Sequence, residues 1–130
     1  RSRLRQTDLS MRNLLLLLAL CGGGYQAWEH YSQPARETNV PLHAEPYLAV
    51  YGRTACGYTQ ATLRQLNQAG IRYRFHSVDE PAVADLLHRR MQNAGLEVRR
   101  YLLPVVDLNN ALTVHPDNGE LVAQARQQLR

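Results

Sequence analysis

The sequence predicts an α/β domain over residues 47–130, with a mixed four-stranded sheet that carries helices on both faces. Two observations support this prediction. An early strand–helix–strand unit requires a parallel pair of strands, because a crossover helix returns the chain to the same edge of the sheet. A later apolar segment runs through an Asn–Asn turn into a second extended segment, which is typical of an antiparallel hairpin. A chain of 130 residues has room for one ordinary domain.

The first half of this domain alternates strand, helix and strand. Residues 47–51, YLAVY, are apolar and aromatic and predict a strand that leads through a turn to Cys56. Apolar residues at three- and four-residue steps predict a helix from Thr59 that stops at Gly70. Residues 71–79 alternate between apolar and polar positions and predict the second strand.

The second half continues with a helix, a hairpin and a final helix. Asp79 and Pro81 predict the start of a helix that ends at residues 93–95. Its core-facing stripe is Val83, Leu86, Leu87, Arg90 and Met91. The segment LPVVDL predicts a buried strand, and residues 111–115 predict the return strand. The last helix starts at residues 116–118 and turns Leu121, Val122, Ala125 and Leu129 to the sheet.

Residues 1–24 predict a leader and residues 25–46 a linker. Eight apolar residues from Leu14 to Cys21 are fewer than the roughly 20 that a membrane-spanning helix needs. One arginine, a short apolar run and three glycines are typical of a secretory signal, so we expect export to the bacterial periplasm. If Met11 is the start of translation, residues 1–10 are not native. The leader is then a cleaved signal, a short uncleaved anchor, or a lipidation site at Cys21, where Leu20 replaces the usual small residue.

The charge distribution argues against a nucleic-acid-binding protein. Three of the four net positive charges lie in the first 13 residues, which hold four arginines and one aspartate. The domain has no cluster of arginines interleaved with aromatic residues, the pattern expected of a nucleic-acid surface. We expect membrane contact only through the N-terminal segment. The histidines are scattered without metal-ligand spacing, so no metal site is predicted.

Three features, in chain order, resemble the glutaredoxin family within the thioredoxin fold. They are TACGYT after the first strand, RRYLLPVVDL before the third, and the closing hairpin with its helix. The resemblance covers Tyr47–Leu129 and implies a thioredoxin-like fold, a monomer, a catalytic cysteine at Cys56 and glutathione as co-substrate.

The chemistry of Cys56 also follows from its position. A thiol attacks a disulfide as the thiolate, and unpaired N–H groups in the first turn of a helix stabilise an anion there. Thr59 stands where a second cysteine would complete Cys-x-x-Cys, so an external thiol must resolve any mixed disulfide of Cys56. Gly57 resembles the Cys-Gly-Phe-Ser class of single-thiol glutaredoxins. Thr59 is expected to support the thiolate through its hydroxyl or to cap the helix.

The resemblance also implies a set of glutathione-binding residues: Arg53, Tyr58, Arg100, Leu103, Pro104 and Asp117. In the family, the basic residue at the position of Arg53 lies beside the thiolate and attracts a glutathione carboxylate. The aromatic residue at the position of Tyr58 forms one side of the groove beside the sulfur. Alternatively, Arg53 is a solvated charge and Tyr58 an ordinary packed aromatic.

The remaining positions bind the rest of glutathione in the family. Leu103 offers its backbone N–H and C=O beside a cis Pro104, Arg100 assists the glycine carboxylate or is a solvated charge, and Asp117 binds the glutamyl end. The sequence departs from the family at Val114 and His115, which replace two glycines and narrow the approach of glutathione to the backbone. His115, next to Pro116, either borders the groove or is a hydrogen-bonded bystander, and it is not interpreted as a catalyst.

The predicted function is a glutathione-dependent thiol-disulfide oxidoreductase of the deglutathionylation type, acting on disulfide-bonded or glutathionylated proteins. Two alternatives remain. One is a catalytically weak binding module of the same fold, tethered outside the cytoplasm, where reduced glutathione is scarce. The other is a dimer that binds a [2Fe–2S] cluster with glutathione as co-ligand, as some single-thiol glutaredoxins do.

Overall fold

The computed structural model describes residues 2–32 and 37–130, and the chain separates into two compact units. The first unit is helix α1, Ser2–Ser32, which contains the predicted leader and the start of the predicted linker. Linker residues 33–36 lie outside the described residues. Within the described ranges, no helix is both long and apolar enough to cross a membrane.

The second unit contains four strands and three helices. In chain order they are β1 Leu48–Gly52, α2 Gly57–Gln68, β2 Arg74–Ser77, α3 Pro81–Asn93, β3 Val105–Leu108, β4 Ala111–Val114 and α4 Asn118–Gln128. The sheet order is β2-β1-β3-β4. Strands β1 and β2 are parallel, whereas β1 with β3 and β3 with β4 are antiparallel. The predicted mixed sheet is confirmed, and its topology is that of the thioredoxin fold.

Each face of the sheet has its own apolar core, because alternate residues of a strand point to opposite faces. On one face α3 packs over Tyr47, Ala49, Tyr51 and Val105 through Leu87 and Met91. On the other face α2 and α4 pack over Leu48, Val50, Val106 and Leu108 through Leu66, Leu121 and Ala125. Strand β1 is therefore buried between helices on both faces of the sheet, and the loop that contains Cys56 follows directly from its end.

Turn residues predicted from the sequence adopt the expected backbone conformations. Gly70 ends the turn after α2 with φ 68°, and Asn109 and Asn110 join β3 to β4 with φ 50° and 76°. Both positive values at adjacent residues are what a tight two-residue hairpin requires. The Leu103–Pro104 peptide bond before β3 is cis, as predicted.

A buried ion pair crosses one core face and is a feature that the apolar pattern did not reveal. Arg90 of α3 donates to Asp107 of β3 at 2.6 Å, and their side chains are 6% and 0% exposed. The Tyr47 hydroxyl donates to the same carboxylate oxygen at 3.0 Å, and the backbone N–H of Asn110 donates to the other at 2.8 Å. The carboxylate is therefore fully partnered, as a buried charge must be.

Arg90, besides pairing with Asp107, attaches part of the predicted linker to the domain. Arg90 donates to the carbonyl of Val40 at 2.8 Å, and Asn39 donates to the carbonyl of Arg90 at 2.7 Å. Leu42 packs against the core beneath α3. The contacts of the domain thus extend N-terminal to Tyr47.

Helix α3 begins at Pro81, one of the two residues predicted to start it. Its N-cap is Glu80, whose side chain makes no capping hydrogen bond. Asp79 precedes the N-cap, and its carboxylate pairs with Arg53.

Candidate functional site

Cys56 is the N-cap residue of α2 and stands at the end of the loop that leaves β1. Its backbone N–H donates to the carbonyl of Arg53 at 3.0 Å, and its own carbonyl accepts from the N–H of Gln60 at 3.0 Å. The side-chain amide of Gln60 also bonds to the carbonyl of Thr54. These bonds tie the loop to the first turn of the helix and fix the direction in which the sulfur emerges.

The environment of Cys56 lowers the pKa of its thiol below the ordinary value. The largest cause is the backbone N–H of Thr59, followed by the Thr59 hydroxyl, both of which donate to the anionic sulfur. The N–H of Tyr58 and the charge of Arg53 act in the same direction with smaller weight, and partial burial opposes them. The neutral thiol makes no capping hydrogen bond. The first turn of α2 therefore favours the thiolate, as predicted from the sequence.

Thr59 is held against the end of β1 by a close contact with Gly52. The Thr59 side chain is fully buried, and within the described part of the chain its hydroxyl has no hydrogen-bond partner, which leaves it available to an anionic Cys56 sulfur. A Cβ added to Gly52 would lie 2.5 Å from both Cγ2 and Oγ1 of Thr59. Only glycine at this position lets the threonine sit under the sulfur.

We expect Gly52→Ala to displace Thr59, to raise the pKa of Cys56 and to cost about 1–3 kcal/mol of stability, the usual cost of overpacking. Thermal or urea unfolding and a thiolate titration measure the two effects. Gly57→Ala is the matched control, because a Cβ there meets nothing within 4 Å. Equal behaviour of the two variants would contradict the proposed role of the Gly52 contact.

We expect Thr59→Val to raise the pKa of Cys56 toward the free-cysteine value of about 8.5 without reaching it, because the backbone N–H remains. Thr59→Ser keeps the hydroxyl and is expected to keep the low pKa. Because the folded-state pKa is below the unfolded one, the thiolate adds stability above the unfolded-state pKa, and this is lost as pH falls through the folded-state value. Thiolate absorbance against pH measures the shift, and a valine variant that titrates like the wild type would refute it.

Arg53 lies beside the thiolate loop but forms an exposed ion pair away from it. Its Nε lies 3.1 Å from Oδ1 of Asp79, and both side chains are more than half exposed. Burial raises the pKa of Tyr101, and the charge of Arg53 opposes this rise. The guanidinium Nη groups remain available to an anion.

His115 contacts both Tyr58 and Leu103. The Tyr58 ring is 60% exposed and meets the His115 ring edge to face, with centroids 4.8 Å apart. Nδ1 of His115 lies 3.1 Å from the carbonyl oxygen of Leu103. His115 is therefore hydrogen-bonded and borders the region of Tyr58 and Leu103. Its position as one of the two glycine replacements, directly before Pro116, marked it in the sequence.

Arg100 and Asp117 lie at the edges of this region. Arg100 is exposed in the loop between α3 and β3. Asp117 is the N-cap of α4, and its Oδ1 accepts from the backbone N–H of Glu120 at 3.0 Å. The predicted start of α4 is confirmed. Arg53, Tyr58 and Thr59 lie next to Cys56, and Leu103 and Pro104 are linked to Tyr58 through His115. Among the described residues, no hydrogen bond or ion pair joins the side chain of Arg100 or Asp117 to this group.

The described residues offer no metal centre of their own. No three His, Cys, Asp or Glu side chains among them are grouped so as to hold an ion. A [2Fe–2S] cluster needs four ligands, and Cys56 is the only cysteine in residues 37–130. One domain alone therefore does not fit the cluster, and the glutathione-bridged dimer stays a prediction.

The chain was compared with known families, curated proteins and solved structures. No protein-family model matches it, and no curated protein does. The crystal structure of a glutaredoxin from Archaeoglobus fulgidus is similar, with 16% identity and a TM-score of 0.49, over 72% of this chain and 99% of that chain. The strand order and the helices on both faces of the sheet establish, independently of that likeness, that this domain has the thioredoxin-like fold to which glutaredoxins also belong.

Proposed function

We propose that the protein is a glutathione-dependent, single-thiol thiol-disulfide oxidoreductase that removes glutathione from proteins. The observation that supports this most strongly is Cys56 at the N-cap of α2 with a lowered pKa, while Thr59 takes the place of a resolving cysteine. A thiolate held in this way is a nucleophile at neutral pH. Without a neighbouring thiol in the domain, it needs a small external thiol to complete a cycle.

The reaction consists of two thiol-disulfide exchanges. In the first, the Cys56 thiolate attacks the glutathione sulfur of a glutathionylated protein, a bond forms between the two sulfurs, and the protein thiolate leaves and takes a proton from water. In the second, the thiolate of another glutathione attacks the glutathione sulfur on Cys56. The Cys56 thiolate is released with glutathione disulfide. The protein thiol is restored, its glutathionyl group and one free glutathione become glutathione disulfide, and the enzyme is unchanged.

The residues around Cys56 have separate roles in this proposal. The N–H and hydroxyl of Thr59 stabilise the sulfur anion as nucleophile and again as leaving group. The free Nη groups of Arg53 bind a carboxylate of glutathione, as a guanidinium does. The exposed ring of Tyr58 and the Leu103–Pro104 loop form two sides of the groove. Arg100 and Asp117 are proposed to bind the two ends of glutathione.

Steady-state turnover tests the proposal. A glutathionylated peptide is offered with glutathione, and formation of glutathione disulfide is followed through coupled reduction. Two successive exchanges through one covalent intermediate predict parallel lines in double-reciprocal plots. Intersecting lines, or no turnover above the uncatalysed rate, would contradict the proposed cycle.

A binding module is the second candidate, and one observation favours it. His115 holds the carbonyl of Leu103, which is one of the backbone groups that would otherwise pair with a peptide-like substrate. A protein with weak substrate binding and one thiol can retain the fold without useful turnover. Stable binding of a disulfide-bonded protein by the Cys56→Ser variant, together with absent turnover in the wild type, would favour this candidate.

We further propose that the domain works outside the cytoplasm, attached through or released from its N-terminal segment. The short apolar run within α1, followed by three glycines, supports export. The mass of the protein recovered from the periplasm and from membranes separates a cleaved product from an anchored or lipidated one. Recovery from the cytoplasm alone would contradict export.

A further inference from the structure

His115 occupies a backbone conformation that residues other than glycine rarely adopt, with φ 47°. Its backbone N–H donates to the carbonyl of Pro104 at 2.8 Å, and its ring Nδ1 bonds to the carbonyl of Leu103 at 3.1 Å. One residue therefore binds both carbonyls of the Leu103–Pro104 segment. A conformation of this kind is unfavourable for a residue with a Cβ and persists where its surroundings fix it. These two bonds fix His115.

The bond from the ring to Leu103 does not depend on the charge of the ring. A carbonyl oxygen only accepts, so Nδ1 carries the hydrogen in the neutral ring, and it also carries one in the imidazolium. The same ring stands edge to face against Tyr58, in the first turn after Cys56. The ring therefore occupies one of the two acceptor positions of the Leu103 carbonyl and lies beside Tyr58.

The backbone N–H of Leu103 is left for a ligand, whereas its C=O already accepts a hydrogen bond from His115. A residue before proline favours an extended conformation, and an extended residue normally pairs with a peptide through both its N–H and its C=O. Within residues 37–130, the N–H of Leu103 donates to no backbone carbonyl. A ligand in the groove finds this donor free and the matching acceptor already bonded to His115.

We propose that His115 is a specificity-determining residue that reduces the preference of Cys56 for disulfides carrying a peptide backbone, by covering the Leu103 carbonyl. This inference rests on the proposed function, because it concerns which disulfides reach the Cys56 thiolate. A peptide-like disulfide such as glutathione disulfide loses one hydrogen bond in this groove. A simple disulfide without an amide, such as bis(2-hydroxyethyl) disulfide, has no such bond to lose.

The test measures the single-turnover rate constants of the wild type with these two disulfides, and compares their ratio in His115→Ala and His115→Gly. Alanine removes the ring donor but keeps a Cβ, whereas glycine also relieves the backbone conformation. The ratio is insensitive to the pKa of Cys56, because both disulfides react with the same thiolate. We expect both variants to raise the ratio in favour of glutathione disulfide by about fivefold, the equivalent of one net hydrogen bond.

The outcomes separate this inference from the proposed function. A ratio that changes less than twofold in both variants overturns the role of His115 while leaving the function intact. A rise in the glycine variant alone also overturns it, because space or backbone freedom would then explain the change. If the folded wild type reacts with neither disulfide, the proposed function fails and the inference fails with it. Circular dichroism of each variant confirms the fold.

Discussion

Replacing Cys56 by serine is expected to reduce the release of glutathione from a glutathionylated peptide to the uncatalysed rate. A serine hydroxyl stays protonated at neutral pH and is a poor nucleophile toward sulfur, so the helix terminus that stabilises a thiolate has no anion to act on. The expected loss is on the order of 10³-fold or more, as for removal of other covalent nucleophiles. The coupled turnover assay measures this directly.

Cys21→Ser is the matched control for this experiment, since Cys21 is the other cysteine of the chain and lies in the helix of the separate N-terminal unit. We expect this variant to keep the wild-type rate. Retained turnover in Cys56→Ser, or a loss in Cys21→Ser equal to that of Cys56→Ser, would contradict the assignment of the nucleophile.

The largest effect on stability is expected for Asp107→Ala. Asp107 is fully buried and accepts hydrogen bonds from Arg90, Tyr47 and the backbone of Asn110. Its removal leaves the guanidinium of Arg90 buried without its counter-charge, and breaking one side of a buried pair costs about 3–5 kcal/mol. The shift of the urea midpoint at constant slope measures the loss.

A double variant separates the uncompensated charge from the lost packing. Arg90→Met with Asp107→Leu removes both charges and keeps apolar volume, so we expect it to recover part of the loss of Asp107→Ala. The donors of Tyr47 and Asn110 still lose their acceptor, which limits the recovery. A single variant that costs less than about 1 kcal/mol, or a double variant less stable than the single one, would refute the account of this ion pair.

The fold was predictable because its signals are local in the sequence. The Asn109–Asn110 turn, the stop at Gly70 and the cap at Asp117 each depend on the backbone preferences of one or two residues. The position of Cys56 followed from a strand that leads directly into a helix. For the same reason, the orientation of the thiol in the first turn of α2 could be anticipated, along with the lowering of its pKa.

The features missed from the sequence depend on residues that are far apart along the chain. Arg90 fitted an apolar helical stripe, and nothing local indicated that Asp107 would neutralise it inside the core. Aspartate is common at helix starts, but the carboxylate of Asp79, in the loop after β2, pairs with Arg53 in the loop after β1. His115 acquires its role only because the hairpin brings it to Leu103 and Tyr58. Such contacts follow from tertiary packing and produce no periodic pattern of residues in the sequence.

The most direct test of the central claim is the mass of Cys56 during the reaction. The wild-type protein is mixed with a glutathionylated peptide, quenched with acid, digested and analysed by mass spectrometry, before and after glutathione is added. The proposed mechanism predicts glutathione attached to Cys56 in the first sample, and free Cys56 with glutathione disulfide in the second. An unmodified Cys56 beside a peptide that keeps its glutathione would contradict the mechanism and favour the binding module.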